Sequence, residues 1–380
     1  MRECFVIMPI GSGDAYQVYR NRYEHIIEPA VEGLRINDEQ VFRSVRADFV
    51  TKTGSITRDL LGRLYRSDVV IADLTDLNPN VFYELGVRHA LRAGTILIAL
   101  KGTKVPFDVG DLRVIPYEDR IGGEREVIPQ LQEMLRSLLS ELRQQDSPVL
   151  LAIPELAELG AAKEHEAQIA SLERERDLLK AQIEVSEKTS LTNQATLEAM
   201  QRAIETLGRQ LSESQRQVAE TEITSAVQAQ NKGAAGRSVR VPRLGHVVVD
   251  PDAVFVLMSF SPDMDPIYRI ILDAAGEVGL RTYRADSISE AGSIIDQIFE
   301  SIAKSGLIVA DLTGRNQNVM YELGLANAMG KKTLLLSQHA QELPFDVRQQ
   351  RVLIYDRSLA KRKELRNRLA EAFKAYRRVF

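Results

Sequence analysis

The sequence predicts an α/β protein that builds one doubly wound domain twice and joins the two copies by a long helical segment. Three observations predict it. Residues 46–117 realign with residues 284–355 at a constant offset of 238, without a gap and with 28 identities in 72 positions. Each copy alternates short, wholly apolar runs with stretches of helical spacing, the pattern of parallel βαβ units with a helix layer on each face. Between the copies, roughly residues 154–237 turn rich in Ala, Glu, Gln, Arg and Leu and lose almost all aromatics. The identities cluster in Arg46-Ala47-Asp48, Gly54-Ser55-Ile56, Ala72-Asp73-Leu74-Thr75, Tyr83-Glu84-Leu85-Gly86 and Pro106-Phe107-Asp108-Val109, each returning 238 residues later. A residue kept by both copies satisfies the same physical demand twice.

Taken in order, Phe5-Val6-Ile7-Met8 is a short apolar run that meets Gly11, Ser12 and Gly13, a strand entering a turn. Helical spacing covers residues 19–34, a second strand residues 41–45, and a helix residues 56–66. Val69-Val70-Ile71-Ala72 is apolar at every position and so reads as a strand buried on both faces. A helix over residues 80–92, a buried strand over 96–99, a shorter strand over 114–117 and a closing amphipathic helix over 127–142 complete the copy. The second copy repeats the order from 254 to about 376, so each is expected to be a flavodoxin-like domain with a five-stranded parallel sheet.

The organisation is therefore 1–145 for the first α/β domain, 154–230 for a helical connector, 231–245 for a flexible joint around Asn-Lys-Gly-Ala-Ala-Gly, and 246–380 for the second α/β domain. In the connector, Ile169, Leu172, Leu179 and Ile183, then Leu197, Met200, Ile204, Leu207, Leu211 and Val218, lie on one heptad seam. Ser186, Ser190 and Asn193 interrupt it, so one coiled coil with a weak centre and two helices folded back on each other both remain open. An unpaired seam would leave Leu and Ile in water, and homo-oligomerisation through the coiled coil is expected.

Composition narrows the function classes. Hydrophobic content of 44% and charged content of 27% describe a soluble globular protein. A net charge of −4 gives no electrostatic case for nucleic acid as a partner. One cysteine, Cys4, rules out an intrachain disulfide and a thiolate metal cluster and suits a reducing cytoplasm. No apolar stretch reaches the ~20 residues that cross a bilayer, and no membrane role is expected. No His, Cys or carboxylate grouping has metal-ligand spacing, so neither a metal nor a cofactor is expected.

In open parallel sheets, ligands bind beyond the carboxyl ends of the strands. Asp73 and Asp311 close buried strands at that edge, where an Asp also serves as a simple loop cap. Asn78 before Pro79 reads as an N-cap with proline at the first helical position, which puts Glu84 in the second turn. Asn80 and Glu84, four apart, share a face near the positive end of the helix dipole, where a carboxylate tends to stay ionised. Such a carboxylate can attack an electrophilic carbon or stabilise a cation. Asn318, Tyr321 and Glu322 repeat the set. Gly86 and Gly324 fall inside that helix, where glycine costs about 1 kcal/mol against alanine, and this implies close backbone approach to another element.

Gly11, Ser12 and Gly13 could leave amides free for a phosphate or a sugar hydroxyl. The second copy has Ser259-Phe260-Ser261-Pro262-Asp263 instead, and this asymmetry points to the first copy as the working site. Asp48 with Ser55, and Asp286 with Ser293, keep equal spacing; Ser55 is a phosphate contact at a helix start or an ordinary cap. Asp108 and Asp346 read as turn residues, with Arg113 and Arg351 as ion-pair partners or anion contacts. His89 faces Asn327 in the alignment and receives no role.

The strand-end "ADLT", the "NPNVFYELG" helix start and the opening strand with its Gly-rich turn resemble the nucleoside 2-deoxyribosyltransferase superfamily, with its nucleotide N-glycosidases and, more distantly, TIR-like domains. The resemblance covers both globular copies and omits the helical connector. It implies that Glu84, with Glu322 as counterpart, attacks the anomeric carbon and releases the base. It implies that Asp73 and Asp311 meet the base or sugar, and that Tyr16, Tyr19 or Tyr83 supplies a nearby tyrosine. It further implies that Gly11 to Asp14 form the opening turn. The family's Asp-x-Gly before the glutamate is replaced by Asn78-Pro79-Asn80.

The leading expectation is thus an enzyme cleaving the base–sugar bond of nucleosides or nucleotides. One alternative is a TIR-like NAD-cleaving effector. The other is a non-enzymatic nucleotide sensor in a stress or antiviral-defence protein. All three take a nucleoside, a nucleotide or an NAD-like small molecule as partner.

Overall fold

The computed structural model describes residues 1–49, 56–140, 147–153, 247–287, 293–344, 347–348 and 350–378, with isolated positions between 176 and 244. The expected heptad seam lies outside the described residues. The chain divides into a compact unit formed by Met1–Pro154 with Val247–Phe380 and a second unit, Glu155–His246. The two α/β copies therefore share the first unit.

In the first copy, strands β1 (Arg2–Ile7), β2 (Phe42–Arg46), β3 (Val69–Asp73), β4 (Thr95–Leu100) and β5 (Val114–Tyr117) form one sheet. Its order is β2-β1-β3-β4-β5 and every pairing is parallel. Helices α1 (Asp14–Arg22), α2 (Ile56–Arg66), α3 (Pro79–Leu91) and α4 (Glu124–Ser140) connect and close it. A short helix, α5 (Pro148–Ala152), follows. The second copy repeats the plan with β6 (Asp250–Leu257), α6 (Asp265–Gly276), β7 (Arg281–Arg284), α7 (Ile294–Lys304), β8 (Ser305–Asp311), α8 (Gln317–Ala328), β9 (Lys332–Ser337), β10 (Val352–Ile354) and α9 (Arg362–Arg377). Its sheet order is β7-β6-β8-β9-β10, again all parallel. This is the flavodoxin-like order, whose switch point lies between the first and third strands of each sheet. The fully apolar run Val69–Ala72 of β3 is buried at all four positions, as a strand covered on both faces requires.

One boundary differs from expectation. The first helix starts at Asp14, five residues before the expected 19, and continues through a π turn at Tyr23–Ile27 into Glu28–Glu32. Its first turn carries no buried stripe, so periodicity missed it. The start is set by backbone and dipole: Gly13 is the N-cap at φ 57°, and Asp14 sits at the positive end.

A helix pair joins the copies. Helices α3 and α8 pack against each other as the most extensive helix pair of the unit. Residues Val81 to Ala90 of α3 and Val319 to Ala326 of α8 are all buried, so neither helix keeps a solvent face over this stretch. A Cβ placed on Gly86 would overlap the carbonyl oxygen of Tyr321, and one on Gly324 would overlap that of Tyr83. The glycines are there so that two backbones can touch. Tyr83 OH accepts from Asn327 Nδ2 at 3.0 Å, and Tyr321 OH is hydrogen-bonded to His89 Nδ1 at 2.8 Å. The intrachain pair of copies is thus a pseudo-twofold dimer. Two described side chains next to it are structural: Ser147 donates to the carbonyl of His89 at 2.7 Å, and the buried Arg88 donates to the carbonyls of Leu64, Ser67, Ala93 and Gly94.

Candidate functional site

The loops after β1 and β3 flank the switch point of the first copy. Gly11 (φ 70°) and Gly13 (φ 57°) take left-handed backbone conformations in the first, and Gly11, Ser12 and Gly13 are all exposed. In the second, Asp76 and Leu77 hold φ of 60° and 49°, and the equivalent Gly314 and Arg315 hold 75° and 53°. A left-handed leucine is strained, and strain kept in both copies marks a turn whose shape is needed. Tyr19 bridges the two loops by donating to Asp76 Oδ2 at 2.6 Å; burial and the Asp76 contact push its hydroxyl up to about 12. Of the three tyrosines left open by the sequence, Tyr19 is the one that touches both loops at the switch point. Tyr16 lies under the buried Arg46 guanidinium, 5.4 Å from ring centre to Cζ, and Tyr83 lies in the junction of the copies.

Strand-end Asp73 is 0% exposed, and its oxygens are already committed. Oδ1 accepts from the Thr75 amide at 3.0 Å and the Thr75 hydroxyl at 2.5 Å, and Oδ2 accepts from Tyr117 OH at 2.7 Å. Thr75 Oγ1 in turn accepts from the Leu100 amide at 3.0 Å. The cluster clasps the carboxyl ends of β3, β4 and β5. The second copy rebuilds it: Asp311 accepts from the Thr313 amide at 3.0 Å and from Tyr355 OH at 2.7 Å, and Thr313 Oγ1 accepts from the Gln338 amide at 3.1 Å. Burial pushes both carboxyls up while these hydrogen bonds pull them down. The expected free acid at the strand end is therefore a side chain that ties three strands together, which alone explains why both copies keep Asp, Thr and the distant Tyr. Tyr117→Phe leaves Asp73 Oδ2 short of a buried donor and is expected to cost about 1–3 kcal/mol in urea unfolding.

Asn78 caps α3 by accepting from the Asn80 amide at 3.0 Å, with Pro79 at the first helical position, and Asn316 caps α8 by accepting from Asn318 at 3.0 Å and Val319 at 3.3 Å. These caps fix the second turns, where Glu84 is 8% and Glu322 6% exposed. Both acids lie on the helices that join the copies. The turn Phe107–Val109 of the first copy packs on α8 and brings Asp108 to Glu322. Asp108 is 3% exposed, and its Oδ2 has no hydrogen-bond partner among the described residues. Burial pushes Asp108 from its ordinary 3.8 to about 7, and burial plus the Asp108 charge pushes Glu322 well above the usual carboxylate range. The expectation of an ionised helix-start glutamate is thus corrected for Glu322, because desolvation outweighs the dipole.

A raised acid favours the folded state in its neutral form, so its stabilising share is full below about 4 and lost as pH rises through about 7. The stability of the protein relative to Asp108→Asn is expected to fall across that window, as measured by urea midpoints at several pH values.

The remaining expected residues separate. Asp48 forms an ion pair with buried Arg46 at 2.7 Å, and Asp286 pairs with Arg284 in the same way. Ser55 and Asp346 lie outside the described residues. Ser293, the counterpart of Ser55, is an ordinary N-cap that accepts from the Asp296 amide at 3.4 Å. Arg113 is exposed and makes no described pair with Asp108. Tyr321, expected at the ligand, bonds His89 instead. Sequence reasoning missed His89, Asn327 and Arg22. The first two were visible as equivalent positions, 89 and 327, both polar inside an apolar helix. Arg22 pairs with Asp119 at 2.8 Å, and in the second copy Arg357, at the position equivalent to Asp119, pairs with Asp263 at 2.6 Å. Among the described residues no cluster of three or more His, Cys, Asp or Glu could hold a metal ion, and no helix is long and apolar enough to cross a membrane. Comparison with protein-family models, curated proteins and solved structures returned no match.

Proposed function

We propose that this chain cleaves the base–sugar bond of nucleosides or nucleotides, as an N-glycosidase or a deoxyribosyltransferase-like enzyme. Glu84 and Glu322 act at the anomeric carbon. The observation that carries the reading is the placement of both glutamates on the two helices that join the copies, with an acid of the opposite copy beside Glu322. Glycosidic cleavage passes through an oxocarbenium-like centre and commonly uses two carboxyl groups. The left-handed glycines at the first-copy switch point support a ligand whose phosphate or 5′ end lies against backbone amides. Asp73 and Asp311, each in its own copy, hold the carboxyl ends of the strands beside the switch point through the clasp. Oligomerisation through the 154–230 segment and a cytoplasmic setting belong to the same proposal.

Incubation with a panel of nucleosides, nucleotides and NAD, followed by mass spectrometry, tests it. Free base released from a nucleoside or nucleotide is the expected result. Nicotinamide release from NAD alone would favour the TIR-like alternative, and a ligand recovered intact would favour a sensor.

A further inference from the structure

We infer that this chain associates head to tail with a second copy of itself: the turn after β5 of one chain docks against the equivalent turn, after β10, of the next. The contact needs none of the residues assigned to base–sugar cleavage. Ile121 is fully exposed and Leu359 is 87% exposed, which makes them the two most exposed large apolar side chains among the described residues. They stand 238 residues apart, the offset that aligns the two copies. A lone apolar side chain in water is ordinary. One that both copies place at the same position meets the same demand twice, and within the described chain nothing covers either.

Both tips are held in place by their own backbone. The Gly123 amide donates to the Arg120 carbonyl at 2.9 Å, and the Lys361 amide donates to the Ser358 carbonyl at 2.9 Å, at matching positions of the alignment. Ile121 and Leu359 are therefore the second residue of equivalent four-residue turns. In the first copy Gly122 takes φ 89°, and a Cβ on Gly123 would overlap the Glu118 carbonyl oxygen, so the turn folds tightly against the end of β5. Ile10 and Phe260, just past the equivalent strands β1 and β6, are 41% and 49% exposed at the same carboxyl edges. Each copy thus sets two large apolar side chains on one edge of its sheet.

Charge selects the partner. Around Ile121, Glu118, Asp119, Glu124 and Glu126 outnumber Arg120 and Arg125; around Leu359, Arg357, Lys361, Arg362 and Lys363 outnumber Asp356 and Glu364. The sign reverses at two equivalent positions, Asp119 to Arg357 and Glu124 to Arg362. Several of these charges are engaged within their own copy: Asp119 with Arg22, Arg357 with Asp263, Glu118 with Lys101 and Arg120, Glu126 with Arg120, and Lys361 with Glu364. Among the described residues, Glu124, Arg362 and Lys363 make no ion pair. Two second-copy tips would gather Arg362 and Lys363 of both chains, and like charges brought together oppose binding. Unlike tips bring Glu124 to that basic pair instead. The acidic surroundings of Ile121 also disfavour an anionic lipid surface as the partner. A contact between unlike surfaces closes into a ring or continues as an open row of chains.

The test uses two full-length variants, Ile121→Asp and Leu359→Asp, each altering an exposed side chain and expected to keep the wild-type urea midpoint. In sedimentation velocity over a concentration series, the wild type is expected to grow in size with concentration. Each variant alone is expected to need at least about tenfold more protein to do so, while keeping whatever size the 154–230 segment sets. Mixed in equal amounts, the two are expected to regain the association, because the intact Leu359 tip of one meets the intact Ile121 tip of the other. Arg362→Glu with Lys363→Glu, added to the Ile121→Asp chain, is expected to weaken that mixture at least about threefold. A wild type of constant size overturns the inference. A single variant that associates as the wild type does means that like tips meet, and overturns it as well. A mixture that gains nothing, or that ignores the charge reversal, has the same consequence.

Discussion

Gly86→Ala is expected to destabilise this protein, although the same change in most helices would stabilise it. In an exposed helix interior, alanine gains about 1 kcal/mol over glycine through propensity. Here the added methyl would overlap the carbonyl oxygen of Tyr321 and press on the Leu325 amide, both backbone atoms of the other copy. Neither can move as a flexible side chain does, so α3 and α8 must shift apart along a stretch where every residue is buried. Overpacking of this kind costs about 1–3 kcal/mol or more, enough to exceed the propensity gain. Gly324→Ala meets the Tyr83 carbonyl in the mirrored position and is expected to behave alike. Gly276→Ala is the control: it lies at the end of α6 with open space around it, and it should be neutral or gain up to about 1 kcal/mol. Urea unfolding of the three variants decides the matter. A Gly86→Ala protein as stable as the control would mean that the helices do not meet through these glycines.

That example also shows what the sequence could reveal. A glycine kept twice in a helix announced a close approach, because its cost had to be offset somewhere, but nothing in the pattern said that the partner was the other copy. The strands were legible because wholly apolar runs have few alternatives. The caps at Asn78 and Asn316 were legible because cap chemistry is local. The beginning of α1 was hidden, since its first turn faces water and hydrophobic periodicity has nothing there to detect. At the site the difference lies in range. Asp73 was found as a strand-end acid, but its clasp needs Tyr117, 44 residues away, and Leu100, whose backbone carries no sequence signal. Asp108 read as a turn residue because its neighbour, Glu322, comes from the other half of the chain. Ionisation was misjudged for Glu322 by the same route: the dipole is visible from sequence, while burial by a second copy is not.

Glu84→Gln and Glu322→Gln, made singly and together, are expected to divide the activity between the copies and then remove it. Glutamine is the informative replacement because it keeps the size of a side chain that is 8% or 6% exposed in a close-packed helix pair, where alanine would leave a cavity. It cannot form the bond to C1′, and it carries no charge to stabilise a cation there. Removing a residue that acts directly at the reacting carbon costs about 10³-fold or more, so the double variant should release base at close to the uncatalysed rate. The stability of Glu322→Gln should match or exceed that of the wild type, because a buried carboxyl raised by desolvation is replaced by a neutral amide. The glycine turn is confined to the first copy, so Glu84→Gln is expected to cost more activity than Glu322→Gln on substrates that carry a phosphate. Base release, measured beside urea midpoints, separates chemistry from folding. Full activity in a folded double variant would remove both glutamates from the reaction, and with them the reason for assigning this junction to base–sugar cleavage.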